Sequence, residues 1–260
     1  MNMHKNTILI TGGGAGIGRG LAESFHRFGN QVIVAGRREN VLRELCDANP
    51  GMKYLMLDVT DPSSIHYLAA SVARDFPALN CVINNAGVQY RGTNFAAGSY
   101  DDAAMLKEVH TNLTGLIRMC AAFIPQLKGK EAATLVNVSS GLSFVPRAFM
   151  PVYCATKAAV HSFTLSLRWQ LREDKIQVVE LIPPWVRTDL GGPSPVPSAT
   201  NETSSASTQA VQPMPLAEFT QAAVQGLLAG LDEVTVGHST NLASAGGLQT
   251  EKALFARMNA

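Results

Sequence analysis

The chain has 260 residues, enough for one large α/β domain or two small ones with a substantial core. Its 21 basic residues nearly balance its 20 acidic ones, so no basic field points to a nucleic acid or an anionic membrane as partner, and a small molecule is favoured. The apolar run before the first glycines is too short for a signal peptide or a membrane span, which predicts a soluble cytoplasmic protein.

The cysteines are far apart in the sequence and lie mostly in apolar runs, a pattern that favours buried thiols in a reducing compartment over disulfides or a zinc site. The six histidines also show no metal-ligand spacing, so we expect no metal site. The four cysteines are Cys46, Cys81, Cys120 and Cys154.

Short β-branched runs alternate along the chain with segments of helical length, and most of these runs are continuously apolar, as strands covered on both faces must be. This alternation predicts one α/β domain over residues 1–260, a doubly wound parallel β-sheet of Rossmann type flanked by helices. The predicted strands are Thr7 to Thr11, Gln31 to Ala35, Lys53 to Leu57, Cys81 to Asn84, Thr134 to Val138, Gln177 to Ile182 and Glu233 to Val236.

A glycine cluster follows the first predicted strand, in the sequence TGGGAGIG. A sharp strand-to-helix turn there would aim backbone amides and a helix N-terminus at a pyrophosphate, although a plain tight turn would also use glycines. Placed in the first unit of the fold, the cluster predicts a dinucleotide site. The expected contacts are Gly12, Gly14, Ala15, Gly16, Ile17 and Gly18.

The second predicted strand ends at Gly36 and is followed by Arg37 and Arg38, where an NAD-binding site would carry a carboxylate. A guanidinium forms charge-assisted hydrogen bonds to a 2′-phosphate, whereas an acidic residue would repel it. The two arginines therefore favour NADP(H) over NAD(H). The alternative is that both merely solvate the start of a helix.

Further motifs continue this pattern through most of the chain, and in their order and spacing the sequence resembles the short-chain dehydrogenase/reductase family. The segment from Met214 to Gly237 is similar to the DltE-type bacterial oxidoreductases of that family. The motifs are the glycine cluster, LDV at Leu57 to Val59, NNAG at Asn84 to Gly87, the asparagine of TNLTG, VSS ending at Ser140, Tyr153 with Lys157, and PPWVRT from Pro183.

The resemblance assigns roles to single positions. It implies that Asp58 and Val59 bracket the adenine, that Asn84, Asn85, Ala86 and Gly87 border the cofactor, and that Val186 and Thr188 reach the nicotinamide end. The implied catalytic residues are Asn112, Ser140, Tyr153 and Lys157, where Asn112 kinks its helix and anchors a relay water. Tyr153 and Lys157 also count as cofactor contacts, and Ser139 is expected to be structural.

Tyr153 and Lys157 are four residues apart, which puts them on one face of the helix predicted from Pro151. A free tyrosine has a pKa of about 10, too high for ready proton exchange at neutral pH. We expect the Lys157 ammonium and the oxidised nicotinamide to lower that pKa, so that Tyr153 exchanges a proton with the substrate oxygen while Ser140 stabilises the oxyanion.

Two positions depart from the family pattern. Pro183 is followed by Pro184 rather than glycine, which removes a backbone donor. Ala15 stands where NADP-preferring relatives often carry a basic residue, so the cofactor prediction depends on Arg37 and Arg38. Four large apolar residues in neighbouring loops are either core or a substrate wall, namely Phe144, Phe149, Met150 and Trp185.

The stretch at 189–215 is rich in Pro, Ser and Thr. It follows a strand's carboxyl end, where open α/β sheets bind ligands, which favours a substrate lid over a solvated insertion. Leu190, Val196 and Met214 are its expected apolar contacts.

The favoured function is an NADP(H)-dependent carbonyl reductase or alcohol dehydrogenase, assembled as a homodimer or homotetramer. One alternative is an NADP(H)-binding regulatory or sensing protein on the same fold, which would have a broken Tyr/Lys pair. A second alternative is epimerase- or dehydratase-like chemistry with a retained cofactor.

Overall fold

The computed structural model describes residues 2–91, 93–191 and 212–245. In these ranges seven strands form one parallel sheet. The strands are β1 (Thr7–Thr11), β2 (Gln31–Gly36), β3 (Lys53–Met56), β4 (Leu79–Asn84), β5 (Thr134–Val138), β6 (Gln177–Ile182) and β7 (Glu233–Thr235).

The strand order is β3-β2-β1-β4-β5-β6-β7, so the winding direction reverses between β1 and β4. This is the doubly wound parallel sheet that the alternating pattern predicts, and the fold prediction is confirmed. Ligands of open α/β sheets bind at such a reversal, beyond the carboxyl ends of the strands.

Helices connect the strands and cover both faces of the sheet. The helices are α1 (Gly16–Arg27), α2 (Glu39–Ala48), α3 (Pro62–Asp75), α4 (Asp102–Val109), α5 (Gly115–Leu127), α6 (Pro151–Gln170), α7 (Leu216–Leu228) and α8 (His238–Ala243). A π-helical turn, His110–Thr114, joins α4 to α5, and a 3-10 turn, Gly141–Ser143, follows β5.

Two hydrophobic cores lie on opposite faces of the sheet because alternate strand residues point to opposite sides. Ile8 and Ile10 of β1 pack in one core with α1, α2 and α7, whereas Leu9 packs in the other core with α3, α5 and α6. Phe25 and Phe123 are fully buried, one in each core. The double covering explains why most strands are apolar throughout.

The predicted bounds of β1, β5 and β6 agree with the structure, and the differences elsewhere are at strand ends. β4 begins two residues earlier than predicted, because Leu79 pairs with Thr7 ahead of a register shift. β3 is an edge strand with Lys53 and Met56 exposed, so it is not covered on both faces.

The four cysteines are free, and all but Cys46 are buried. Most of the predicted lid at 189–215, including Val196, lies outside the described residues. No described helix has the length and apolar character needed to cross a membrane. The described ranges also contain no group of potential metal-ligating side chains.

Candidate active site

A cavity of about 1090 Å³ opens at the carboxyl ends of the strands, across the reversal between β1 and β4. One end is formed by the glycine turn, Arg37, Arg38 and Asp58, and the other by Ser140, Tyr153 and Lys157. The predicted cofactor and catalytic residues thus meet in one elongated cavity that joins both halves of the sheet.

The glycine turn brings the backbone close to its neighbours. Gly12 and Gly16 have φ of 65° and 51°, values that disfavour any side chain. A Cβ atom on Gly12 would lie 2.9 Å from the Cα of Ala86, and one on Gly18 would overlap the carbonyl oxygen of Gly12. Gly18 is therefore required for packing behind the turn, and it does not line the cavity.

Hydrogen bonds to Thr11 hold the NNAG segment against the same turn. The Thr11 hydroxyl accepts hydrogen bonds from the backbone N–H groups of Asn85 and Ala86, both at 3.0 Å, and the Asn85 amide donates to the Thr11 carbonyl at 3.0 Å. Asn84 points away from the cavity, and its amide donates to Asn137 at 3.0 Å. The structure gives Asn84 a packing position beneath the site rather than the predicted place in its lining.

The end of the cavity opposite Tyr153 holds both arginines. Arg37 and Arg38 are exposed and line the cavity together with Asp58 and Val59. Burial alone would raise the pKa of Asp58, but hydrogen bonds from Thr60 and the nearby positive charge of Arg37 hold it below its ordinary value. Asp58 is therefore an anion with partners, and the arginines give this end positive charge.

Tyr153 and Lys157 lie on the first turns of α6, which begins with Pro151 at a position where no backbone N–H is needed. The Ser140 hydroxyl lies close enough to the Tyr153 phenol to oppose the rise in its pKa. The Lys157 ammonium donates to the Val138 carbonyl at 2.8 Å and lies 5.8 Å from the centre of the Tyr153 ring. The predicted serine, tyrosine and lysine are adjacent in space.

Burial dominates the electrostatics of this group. Burial raises the pKa of Tyr153 above its ordinary value, although the hydrogen bond from Ser140 opposes the shift. Burial also lowers the pKa of Lys157 to about 8, against the effect of the carboxylates of Glu108 and Glu180. Burial is the largest effect on the Tyr153 phenol, and the expected lowering of its pKa by Lys157 together with the oxidised nicotinamide stays a prediction.

Asn112 lies in the π-helical turn between α4 and α5, so the helix is irregular where the resemblance implies a kink. Its side chain accepts from the Val88 N–H at 2.8 Å and donates to the Val88 carbonyl at 2.9 Å and to the Thr156 hydroxyl at 3.2 Å. Asn112 is outside the cavity lining and positions the chain after β4. Its role in a water relay stays a prediction.

A buried hydrogen-bond network lies behind the predicted catalytic residues. The Ser139 hydroxyl donates to one carboxylate oxygen of Glu180, and His161 Nδ1 is 2.7 Å from the other. Ser139 thus has structural hydrogen bonds, as expected, although it also borders the cavity. The sequence signal for this network is Glu180, a glutamate within the apolar part of β6.

Several cavity residues were absent from the predicted site. The Thr111 hydroxyl is buried and has no hydrogen-bond partner among the described residues, and Thr111, the neighbour of Asn112 in sequence, is one of the residues that line the cavity. Of the four candidate wall residues, Phe144 instead packs edge-on against His161, with ring centres 4.7 Å apart. The other three line the cavity, as do Gln89, Arg91, Arg147, Leu190 and His238.

The profile of the short chain dehydrogenase family matches residues 6–195. The chain belongs to this family. It is 42% identical over 190 residues to the uncharacterized oxidoreductase DltE of Bacillus subtilis strain 168, covering 73% of this chain and 75% of that protein. The predicted membership of the short-chain dehydrogenase/reductase family, and of its DltE-type group, is confirmed.

A second relative is the NADP-dependent 3-hydroxy acid dehydrogenase YdfG of Shigella flexneri, which is 31% identical over 177 residues, 68% of this chain and 71% of that protein. Among solved structures, a short chain dehydrogenase from Burkholderia cenocepacia J2315 in complex with NADP matches with a TM-score of 0.82. The match covers 100% of both chains at 24% identity, and at that identity it shows a shared fold.

Proposed function

We propose that this short-chain dehydrogenase uses NADP(H) to interconvert a carbonyl group and an alcohol on a small molecule. The observation that carries the proposal is the placement of Ser140, Tyr153 and Lys157 together in the cavity that the glycine turn also lines. A proton donor and an oxyanion partner are thus next to the space that a dinucleotide needs.

The cavity residues fit an NADP(H) molecule. The close approach of Gly12 to Ala86 and the positive φ of Gly16 leave backbone amides available at the start of α1, which suits a pyrophosphate. Arg37 and Arg38 line the cavity where they can bind a 2′-phosphate. Thr188 also lines the cavity, and its position in the family motif corresponds to the nicotinamide end of the cofactor. When bound, NADPH supplies a hydride to the carbonyl carbon.

Tyr153 is the proposed acid. Because burial raises the pKa of its phenol, Tyr153 stays protonated at neutral pH and can donate its proton to a carbonyl oxygen. Ser140 hydrogen-bonds the same oxygen as negative charge develops on it. Lys157 is held by the Val138 carbonyl, and its charge compensates the phenolate that proton donation leaves.

The relatives support the cofactor and the reaction type. YdfG, by name, is NADP-dependent and acts on 3-hydroxy acids. The intact Tyr153 and Lys157 pair distinguishes this chain from a regulatory relative that only senses the dinucleotide.

The test is NADPH oxidation against a panel of ketones, aldehydes and keto-esters. Tyr153→Phe should lower turnover about a hundredfold or more and leave the Kd for NADPH nearly unchanged, because only the general acid is lost. Tyr67→Phe removes a hydroxyl from an exposed tyrosine of α3 and should behave as wild type. Turnover of Tyr153→Phe within a fewfold of wild type would refute the mechanism. NADPH binding without oxidation by any panel member would favour the sensing protein.

A further inference from the structure

Arg147 lies in the loop between the 3-10 turn and α6, the helix that carries Tyr153. Its backbone N–H donates to the Cys154 thiol at 3.3 Å, and Cys154 is the neighbour of Tyr153 in α6. The Cys154 N–H in turn donates to the Met150 carbonyl at 3.1 Å. These bonds place Arg147 at the Tyr153 end of the cavity, whose wall it helps to form.

The Arg147 guanidinium is half-buried and has no carboxylate partner among the described residues. Burial lowers the pKa of Arg147 from its ordinary value. Within the described ranges no acidic oxygen lies within 4.0 Å of it, and its charged group instead lies 5.8 Å from the centre of the Phe149 ring. Burying a cation without an anion is costly, so such a group is normally matched by a partner or a ligand.

Apolar side chains form much of the cavity wall near Arg147. Phe149 lies beside the guanidinium, Leu142 and Met150 pack with Tyr153, and none of these three can neutralise a cation. A ligand that carries its own negative charge at one end and a carbon chain at the other would satisfy both features of this wall.

The other charges of the lining leave this end positive. Arg37 and Arg38 lie at the opposite end, where Asp58 accepts hydrogen bonds from Thr60. Asp189, the second acidic residue of the described lining, is exposed and makes no ion pair with Arg147.

We propose that Arg147 binds the carboxylate of a short oxo acid or hydroxy acid whose reacting oxygen lies between Tyr153 and Ser140. A planar guanidinium pairs with a carboxylate through two parallel hydrogen bonds, which fixes the orientation of the substrate as well as its affinity. The inference rests on the proposed function, since it names the substrate class of the same site.

The experiment measures binding without turnover. Calorimetric titrations of the protein, with saturating NADP+ and again without it, use acetoacetate and levulinate, each against its neutral carboxamide. The wild type should bind at least one acid about tenfold or more tightly than the matching amide, as expected for a charge-assisted hydrogen-bonded pair. Arg147→Met keeps an unbranched apolar stem and should bind acid and amide within about twofold of each other.

Two further variants complete the design. Arg74→Met removes one positive charge from an exposed residue of α3, and it should keep the full preference for the acid. Arg147→Lys keeps the charge but loses the planar fork, so it should retain part of the preference and serves if Arg147→Met does not fold. Equal binding of acid and amide by the wild type, no binding of either acid, or a full preference in Arg147→Met would overturn the assignment.

The result is separable from the test of the proposed function. If the wild type prefers the acids through Arg147 but none of the carbonyl compounds supports NADPH oxidation, the carboxylate site is confirmed and the proposed reaction is refuted. A wild type that reduces neutral ketones and shows no preference for acids would do the reverse.

Discussion

Glu108 is a carboxyl group buried next to the proposed catalytic residues, with only 2% of its surface exposed. One of its oxygens accepts a hydrogen bond from the Tyr90 N–H at 3.0 Å. Burial raises the pKa of Glu108 to about 7, although Tyr90 and the charge of Lys157 oppose the shift. Because the native state holds this proton more tightly than the unfolded chain does, Glu108 makes the protein less stable as pH rises from the unfolded pKa towards 7.

Glu108→Gln should remove that pH dependence while keeping an acceptor for Tyr90. Relative to wild type, the variant should be more stable at pH 8 than at pH 5 by up to about 3 kcal/mol, measured by urea unfolding. Glu173→Gln, which changes an exposed glutamate, should show no such difference between the two pH values. An equal effect of Glu108→Gln at both pH values would show that Glu108 is ionised in the native state.

Arg37 is the residue on which the cofactor preference most depends. Arg37→Ala should weaken NADPH binding about ten- to a hundredfold, since it removes charge-assisted hydrogen bonds to the 2′-phosphate, and should change NADH binding little. The double variant with Arg38→Ala tests whether the second arginine shares the phosphate. Arg43→Ala, on α2 outside the cavity lining, is the matched control. A wild type that binds NADH as tightly as NADPH would contradict the prediction.

The residues proposed to be catalytic could be singled out from the sequence because they belong to spaced motifs. The interval of four between Tyr153 and Lys157 is a helix turn, and the structure places Ser140 against them. Glu108 belongs to no such motif, and only the folded chain brings it close to Tyr153. Arg147 belongs to none either, and its place in the cavity wall depends on how the loop before α6 folds. The raised pKa of Tyr153 could not be predicted from the sequence either, because the burial of a side chain depends on which residues pack around it.

At the scale of single elements, the turn from β1 into α1 is the most constrained piece of backbone. A Cβ on Gly18 would overlap the Gly12 carbonyl oxygen and lie 2.5 Å from the Asn85 amide nitrogen. A Cβ on Gly14 would meet only the side chains of Leu42 and Val41, at 3.2 and 3.3 Å, and these can move.

Gly18→Ala should therefore destabilise the cofactor-free protein by about 1–3 kcal/mol, the usual cost of overpacking, whereas Gly14→Ala should cost much less. Chemical unfolding of both variants measures the difference. Equal losses of stability in the two variants would mean that the backbone of the turn can shift to accommodate the Cβ of residue 18.

Among the elements, the bounds of the strands were predicted more accurately than the strand order or the irregular turns. The bounds of β5 and β6 follow from their apolar runs, whereas the edge position of β3 depends on strand order, which no local pattern contains. The π-helical turn around Asn112 was expected only through the family resemblance. An extra residue in a helical turn leaves no periodicity that a short window could detect.

Across the whole molecule, the cavity joins residues that follow strands on both sides of the reversal between β1 and β4. A ligand bound there contacts both halves of the sheet and stabilises the native state. NADPH at about 100 times its Kd should add about 2.7 kcal/mol to the free energy of unfolding, which corresponds to a rise in Tm of about 5–10 °C. Thermal unfolding with NADPH and NADH at equal concentration checks this.

NADH should give the smaller rise, and the difference between the two cofactors should disappear in the Arg37→Ala variant. Equal rises in wild type would contradict the proposed role of the arginines. An unchanged Tm with both cofactors would mean that the cavity does not bind them.

Met214 makes a parallel bridge with Val186 at the rim of the cavity. The Arg187 N–H donates to the Met214 carbonyl at 2.9 Å, and the Met214 N–H donates to the Trp185 carbonyl at 2.8 Å. The backbone at Met214 is therefore hydrogen-bonded to the backbone on both sides of Val186. Trp185 and Arg187, at the rim of the cavity, thus owe their backbone positions to a second segment of the chain. A substitution that displaces Met214 would therefore also displace the rim and with it Trp185, which lines the cavity.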